Sequence, residues 1–265
     1  MRPLFAALAA SLLASCSTLP RPGPAGGPPP SGEAAALLRA SARQHGEPWQ
    51  KLRRVEVGYD GEWTAIATRL QPVLTDPDFR KSSRETYEPR LLQVRQTHRG
   101  PGGIKEVRRR PPATEVRYNG TPARDPEVLD SAALVADAYT AFLFGSSWLT
   151  AQGRDLRSLG ERQLDGETCQ RVAGRLSPGF GAADEDHFIA WIGRDSRLLR
   201  RLQFSLNGLD STRGADVDVV FSEHWQAPDG AIWPGRFVER IQRPLRAKAH
   251  EWTMTSLRVD GRRLK

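Results

Sequence analysis

Between Leu52 and Val259 the chain alternates apolar and polar residues with a period of two, the signature of strands with one dry face and one wet face. Leu202, Phe204 and Leu206 fall on one side of such a strand, and Arg201, Gln203 and Ser205 on the other. Val217, Val219 and Phe221 repeat the pattern against Asp216 and Asp218, as do Val55, Val57 and Tyr59 against Glu56 and Gly58. Further strands are expected over Arg90–His98, Lys105–Arg110, Glu115–Asn119, Thr168–Leu176, Asp186–Gly193, Ile232–Ile241 and His250–Val259. Asp60-Gly61, Asn119-Gly120, Asp165-Gly166, Asn207-Gly208, Asp229-Gly230 and Asp260-Gly261 are dipeptides that favour primed turns between antiparallel strands, which predicts a meander. The first of them would join Val55–Tyr59 to a strand over Trp63–Ala67.

One helical stretch precedes this period and one breaks it. Ser31–Gln44 is rich in alanine and leucine, with Ser31 placed to cap its N-terminus and Gly46 to stop it, so it reads as a first helix. Leu129, Ala133, Ala136, Tyr139, Thr140 and Leu143 recur close to every 3.6 residues, which predicts a mostly apolar helix over 129–144, running unevenly through Gly145 to Leu149. Such a helix must cover the apolar face of the sheet. The expected fold is therefore α+β: a curved antiparallel sheet covered by helices.

The N-terminus adds a second kind of information. Arg2 precedes an apolar run from Leu4 to Leu13, too short to span a bilayer and suited to a signal peptide, and Leu13-Ala14-Ser15-Cys16 closes it. This resembles the lipobox of bacterial lipoproteins, which implies cleavage before Cys16 and acylation of its thiol and new amine. Residues 1–15 then form the signal, residues 16–30 the acylated cysteine and a tether, and residues 31–265 a single domain. Ser17–Pro30 holds six prolines and three glycines and reads as a semi-extended spacer that could hold the domain roughly 40 Å from lipid, at ~3.1 Å per residue. No other segment is read as a spanning helix. Ser17 after the cysteine favours an outer-membrane protein facing the periplasm, by the enteric sorting rule.

Charge and chemistry narrow the function. Removing residues 1–15 takes out one arginine and lowers the net charge from +8 to +7. Export argues against nucleic acid as a partner. The scattered arginines at Arg53-Arg54, Arg108–Arg110, Arg200-Arg201 and Arg262-Arg263 read as solvated faces of strands, with anionic headgroups or an acidic partner as the secondary reading. With Cys16 acylated, Cys169 is left alone, without a disulfide partner, and reads as a core residue. No G-x-S-x-G, phosphate-binding glycine loop, C-x-x-C or H-E-x-x-H is present, so no catalytic residue, metal or cofactor is expected. Asp184-Glu185-Asp186-His187 would put neighbouring side chains on opposite faces of a strand, and reads as a solvated turn rather than a metal site. Glu223-His224-Trp225 and His250-Glu251-Trp252 would make an acid–base site only if their strands converged.

Taken together, the lipoprotein signal, N-terminal helix, meander and central apolar helix resemble the LolA/LolB-like superfamily of periplasmic lipoprotein carriers and outer-membrane receptors. Leu164-Asp165-Gly166-Glu167-Thr168-Cys169, Ala190-Trp191-Ile192, Leu198–Leu202 and Asp229–Pro234 add loose local matches. The resemblance covers about residues 31–260 and implies an incomplete β-barrel around an apolar cavity, with helices as a lid. It implies a monomer that holds an acyl chain, a lipoprotein or another hydrophobic ligand. The implied lining is Val57, Leu92, Val94, Trp191, Leu202, Phe204, Val219, Phe221 and Trp252, with Tyr139, Phe142 and Leu143 on the lid. Each is equally a plausible core residue. The receptors expose an apolar residue on a loop, and Phe180, between Gly179 and Gly181, is the matching candidate for membrane or partner contact. The other reading is a structural or sensory envelope lipoprotein that engages a protein or polymer through its sheet, with no cavity. A hydrolase would need polar groups converging in a cleft.

Overall fold

The computed structural model describes Leu19 and residues 30–46, 48–243 and 246–265. The signal, Cys16 and nearly all of the tether lie outside the described residues. Helix α1 (Gly32–Ala42) is capped by Ser31, whose Oγ accepts from the Ala34 N–H at 3.1 Å, and the chain turns away at Gly46 after a 3-10 turn over Arg43–His45. Five strands of an antiparallel meander follow: β1 (Val55–Trp63), β2 (Ser82–Glu88), β3 (Gln93–Gly100), β4 (Gly103–Arg110) and β5 (Ala113–Tyr118), with the short β6 (Thr121–Pro122) at its end. Helices α2 (Ala65–Leu70) and α3 (Pro72–Thr75) interrupt it after β1. The long helix α4 (Pro126–Gln152) then leads into β7 (Gly153–Leu164), β8 (Glu167–Leu176), β9 (Asp186–Gly193), β10 (Leu199–Leu206) and β11 (Ala215–Ser222). A two-strand ribbon of β12 (Trp225–Gln226) and β13 (Ile232–Trp233) precedes β14 (Arg236–Ile241), β15 (Ala247–Val259) and β16 (Arg262–Arg263).

One sheet contains all but the ribbon, in the order β6-β5-β4-β3-β2-β1-β15-β14-β11-β10-β9-β8-β7, with β16 beside β15. Strand β15 pairs with β1 and so joins the two meanders. The edges β6 and β7 do not pair, so the barrel stays open. Helix α4 links those two distant edges. At ~1.5 Å per residue its length is about 40 Å, enough to cross the concave side of the sheet. Asp125 caps it, accepting from the Glu127 N–H, and Pro126 opens it where a missing N–H costs nothing. By length and composition α4 could span a membrane, which the sequence reading did not anticipate, but most of it is buried in the core.

The helix fills the barrel rather than roofing a void. Phe142 meets the rings of Phe204, Phe221 and Phe237 at 5.8, 6.2 and 5.3 Å, and Tyr139 meets Phe237 and Trp252 at 5.4 and 6.1 Å. Its alanines let it approach the sheet closely.

Several expectations change here. Asp60-Gly61 makes no turn, because β1 runs through it; Gly61 allows close pairing with β15, where a Cβ would sit 2.2 Å from the Glu251 carbonyl oxygen. The segment after it is helix α2, whose Ala67 N–H is capped by Thr64, not a strand. Asn119-Gly120, Asp165-Gly166 and Asp260-Gly261 do form turns with positive φ at both residues. Asn207-Gly208 instead opens a longer loop, which the Asn207 side chain closes by accepting from the Gly214 N–H. Ile232–Ile241 divides into β13 and β14 around Pro234-Gly235.

Candidate functional site

Where α4 passes the inner face of β2–β4, packing is incomplete and a cleft of about 290 Å³ remains. Its apolar wall is Trp49, Tyr87, Val94, Phe144 and Trp148, from a 3-10 turn, two strands and both arms of α4. Pro89, Leu92, Pro111, Pro178, Gly179 and Gly181 form the rim, and Gln93, Arg109, Asp137, Thr140 and Gln152 add polarity. The volume is at the low end of the ~300–1,000 Å³ usual for ligand pockets.

Two polar clamps shape this cleft. Arg109 on β4 grips Asp137 on α4 with two parallel bonds, Nε to Oδ1 at 3.1 Å and Nη2 to Oδ2 at 2.8 Å. It also donates to the carbonyls of Pro112 and Gly181 and to Thr114, while Asp137 accepts from the Gly181 N–H. The guanidinium is thereby saturated and ties sheet, helix and loop together. Burial pushes the Asp137 carboxyl up, against the pull of Arg109. The second clamp is Asp186. It accepts from the Phe180 N–H at 2.8 Å, Ser205 Oγ at 2.8 Å and the Asn207 N–H at 3.1 Å, and burial pushes its pKa up to about 6.

A polar interior lies nearby, where sequence reading expected only apolar residues. Arg80 is fully buried; it donates to the Leu74 carbonyl at 2.6 Å and Tyr139 Oη at 2.8 Å and lies 4.8 Å over the Trp63 ring. Glu85 accepts from Ser83 and Tyr87, and burial holds its carboxyl above the usual range. Lys105 pairs with Asp76 at 2.6 Å, and burial drives the His98 imidazole far down. Strand β2 turns Ser83, Glu85 and Tyr87 inward, so its inner face is polar and carries no apolar period that would have marked this cluster.

The residues read from the sequence divide between three places. Leu92 and Val94 line the cleft, Leu92 standing 54% exposed at its rim with a positive φ of 50°. Val57, Tyr139, Phe142, Leu143, Leu202, Phe204, Val219, Phe221 and Trp252 are packed in the main core. Trp191 is corrected to the opposite face of the sheet: alternation along β9 turns Ala190 and Ile192 inward and Trp191 outward, into a cluster with Cys169, Ala173 and Ile189. Phe180 is also corrected. It is 1% exposed, stacked 5.7 Å from Trp148 and edge-on to Phe204, because Asp186 draws its backbone inward. The exposed apolar pair beside the cleft is instead Leu91-Leu92.

The candidate chemical clusters stay apart. His250 pairs with Glu239 rather than with Glu251, whose partners are Arg236 and Lys248. His224 has His45, Arg200 and Glu167 for charged or titratable neighbours. Asp184 is exposed while Asp186 is buried, and among the described residues no group of His, Cys, Asp and Glu is arranged to hold a metal ion.

No family model matches the sequence, and no curated protein matches it. Solved structures do. A LolA superfamily protein of Nitrosomonas europaea shares 11% identity over 85% of this chain and 92% of its own, with a TM-score of 0.53. A DUF1329 family protein of Desulfovibrio piger shares 12% over 88% and 94%, with a TM-score of 0.46. The fold of this chain is thus LolA/LolB-like: an open, antiparallel, helix-filled barrel.

Proposed function

We propose that this protein is a lipid-anchored envelope protein, held by acylated Cys16 and a tether over residues 16–30, whose domain over 31–265 binds an acyl chain or another slender apolar ligand in the cleft between β2–β4 and α4. An outer-membrane position facing the periplasm and a part in lipoprotein or lipid trafficking extend that reading. The cleft carries it: aromatic and aliphatic walls, open to solvent beside Leu91-Leu92, with its charged pair internally satisfied. Saturated donors at Arg109 leave apolar contact as the main source of affinity, which suits a hydrocarbon rather than a sugar or nucleotide. No residue acts as a catalyst in this reading.

Native mass spectrometry of the full chain with Cys16→Ser, purified without detergent, tests it. A discrete adduct that dissociates as lipid is expected, and Thr140→Trp, which fills the cleft from α4, should abolish it while leaving the fold intact. Bare polypeptide that also takes up no fluorescent fatty acid would overturn it. That result would favour the second reading, an envelope protein engaging a partner through its sheet, which the filling of the barrel by Tyr139, Phe142 and Leu143 supports.

A further inference from the structure

Leu19, three residues beyond Cys16, is buried on the outer face of the sheet, packed with Cys169, Ala173, Ile189 and Trp191 of β8 and β9. We infer that this outer face of β7–β9 rests against an anionic membrane leaflet, held there by Leu19. The inference rests on acylation of Cys16. Three residues span at most about 11 Å at ~3.6 Å each, so a lipid on Cys16 cannot be far from this cluster. A domain of this size is roughly 45 Å across, so the far half of the sheet cannot touch the same leaflet while Leu19 is seated. The tether is therefore not free spacer from its first residues, as its proline content suggested. Leu19 itself is seated on the domain.

The charge on this face matches that occupant. Trp191 lies between two guanidinium groups, with Arg171 5.4 Å and Arg201 5.1 Å from its ring. Arg201 is answered by Asp218. Among the described residues the exposed Arg162 and the half-buried Arg171 pair with no carboxylate; Arg157 pairs with none either, but it is buried beneath the surface. Arg162 stands opposite Cys169 in the β7–β8 register and Arg171 opposite Trp191 in the β8–β9 register, so the accessible unanswered charge flanks the Leu19 seat. Accessible arginines beside this seat suit the headgroup level of a bilayer, where phosphates answer the cations. The ligand cleft opens on the other side of the sheet, clear of the leaflet.

The test uses the acylated full-length chain in phosphatidylethanolamine vesicles containing phosphatidylglycerol, with a headgroup-borne quencher. A fluorophore is placed on Arg162→Cys or, in the far half, on Arg117→Cys; both sites are exposed and the exchanges match in charge. Several-fold stronger quenching at position 162 than at 117 is expected, shrinking in phosphatidylcholine vesicles and vanishing in Leu19→Asp. Equal quenching at the two positions in a chain whose mass shows acylated Cys16 would overturn the orientation. Contrast that survives Leu19→Asp would overturn the role of Leu19. An unmodified Cys16 would remove the anchor, and this inference with it.

Discussion

Asp186 carries a carboxylate where water does not reach, and three donors hold it there. Its folded pKa of about 6, against 3.8 for an unperturbed aspartate, means that the folded state binds its proton more tightly than the unfolded state. Stability from this group is therefore fully present below pH 3.8 and is lost as pH rises through about 6. At ~1.4 kcal/mol per pKa unit the loss is on the order of 2–3 kcal/mol. Urea unfolding of the wild type and of Asp186→Asn, from pH 4 to pH 7, should show a steeper downward slope in the wild type. The difference between the two curves isolates Asp186 from Glu85 and Asp137, whose carboxyls burial also raises. Parallel curves would mean that Asp186 stays ionised throughout. The sequence hinted at this residue, since Asp186 sits in its densest acidic run. It offered no way to see that Phe180, six residues earlier, would be pulled inward by it. Local composition reads Gly-Phe-Gly as an exposed loop, and the deciding hydrogen bond is tertiary.

Among the elements, those with a strong period were legible. The strand over Asp186–Gly193 has the predicted bounds, and α4 extends the predicted helix by a turn or so at each end. Strands β2 and β7 were not legible, because β2 turns Ser83, Glu85 and Tyr87 inward and β7 is polar on most of its length. The period of an apolar face cannot mark a strand whose inner face is polar. Alternation also says that two faces differ without saying which is inner, and the large Trp191 drew the wrong choice. The uneven passage expected at Gly145 is a break: φ 47° and ψ −126° interrupt α4 between Phe144 and Ser146, and both arms then line the cleft through Phe144 and Trp148. An L-residue is strained in that conformation, and a Cβ there would lie 3.3 Å from His45 Nε2 and from Leu199 Cδ2. Gly145→Ala should cost about 1–3 kcal/mol in urea unfolding. It should also shift Trp148 off Phe180, read as a change in tryptophan emission. Unchanged stability would show that α4 can run straight through position 145.

At the scale of the whole molecule, the question is whether a ligand uses the cleft as it stands or displaces α4 to reach the barrel interior. Displacement would expose Tyr139, Phe142, Leu143 and Phe144, all buried against the sheet. At roughly 1.5–3 kcal/mol for each such side chain, the cost approaches the ~5–15 kcal/mol that holds a typical fold together. Binding to the standing cleft costs none of that. The two routes differ in how affinity depends on chain length. Each methylene moved from water into an apolar site contributes about 0.8 kcal/mol, close to a fourfold gain in affinity. In the standing cleft this gain must end once the chain fills about 290 Å³, since further methylenes trail past Leu92 into solvent. In a displaced-helix state the gain would continue through the longest chains, and weak binding of short ones would reflect the displacement cost. A series of saturated fatty acids, titrated against a displaceable fluorescent probe, should therefore show affinity rising steeply and then levelling at medium length. A monotonic rise through long chains, with slower association for every member, would instead make α4 a movable lid. The open edges β6 and β7, joined only through that helix, would then be where the barrel parts.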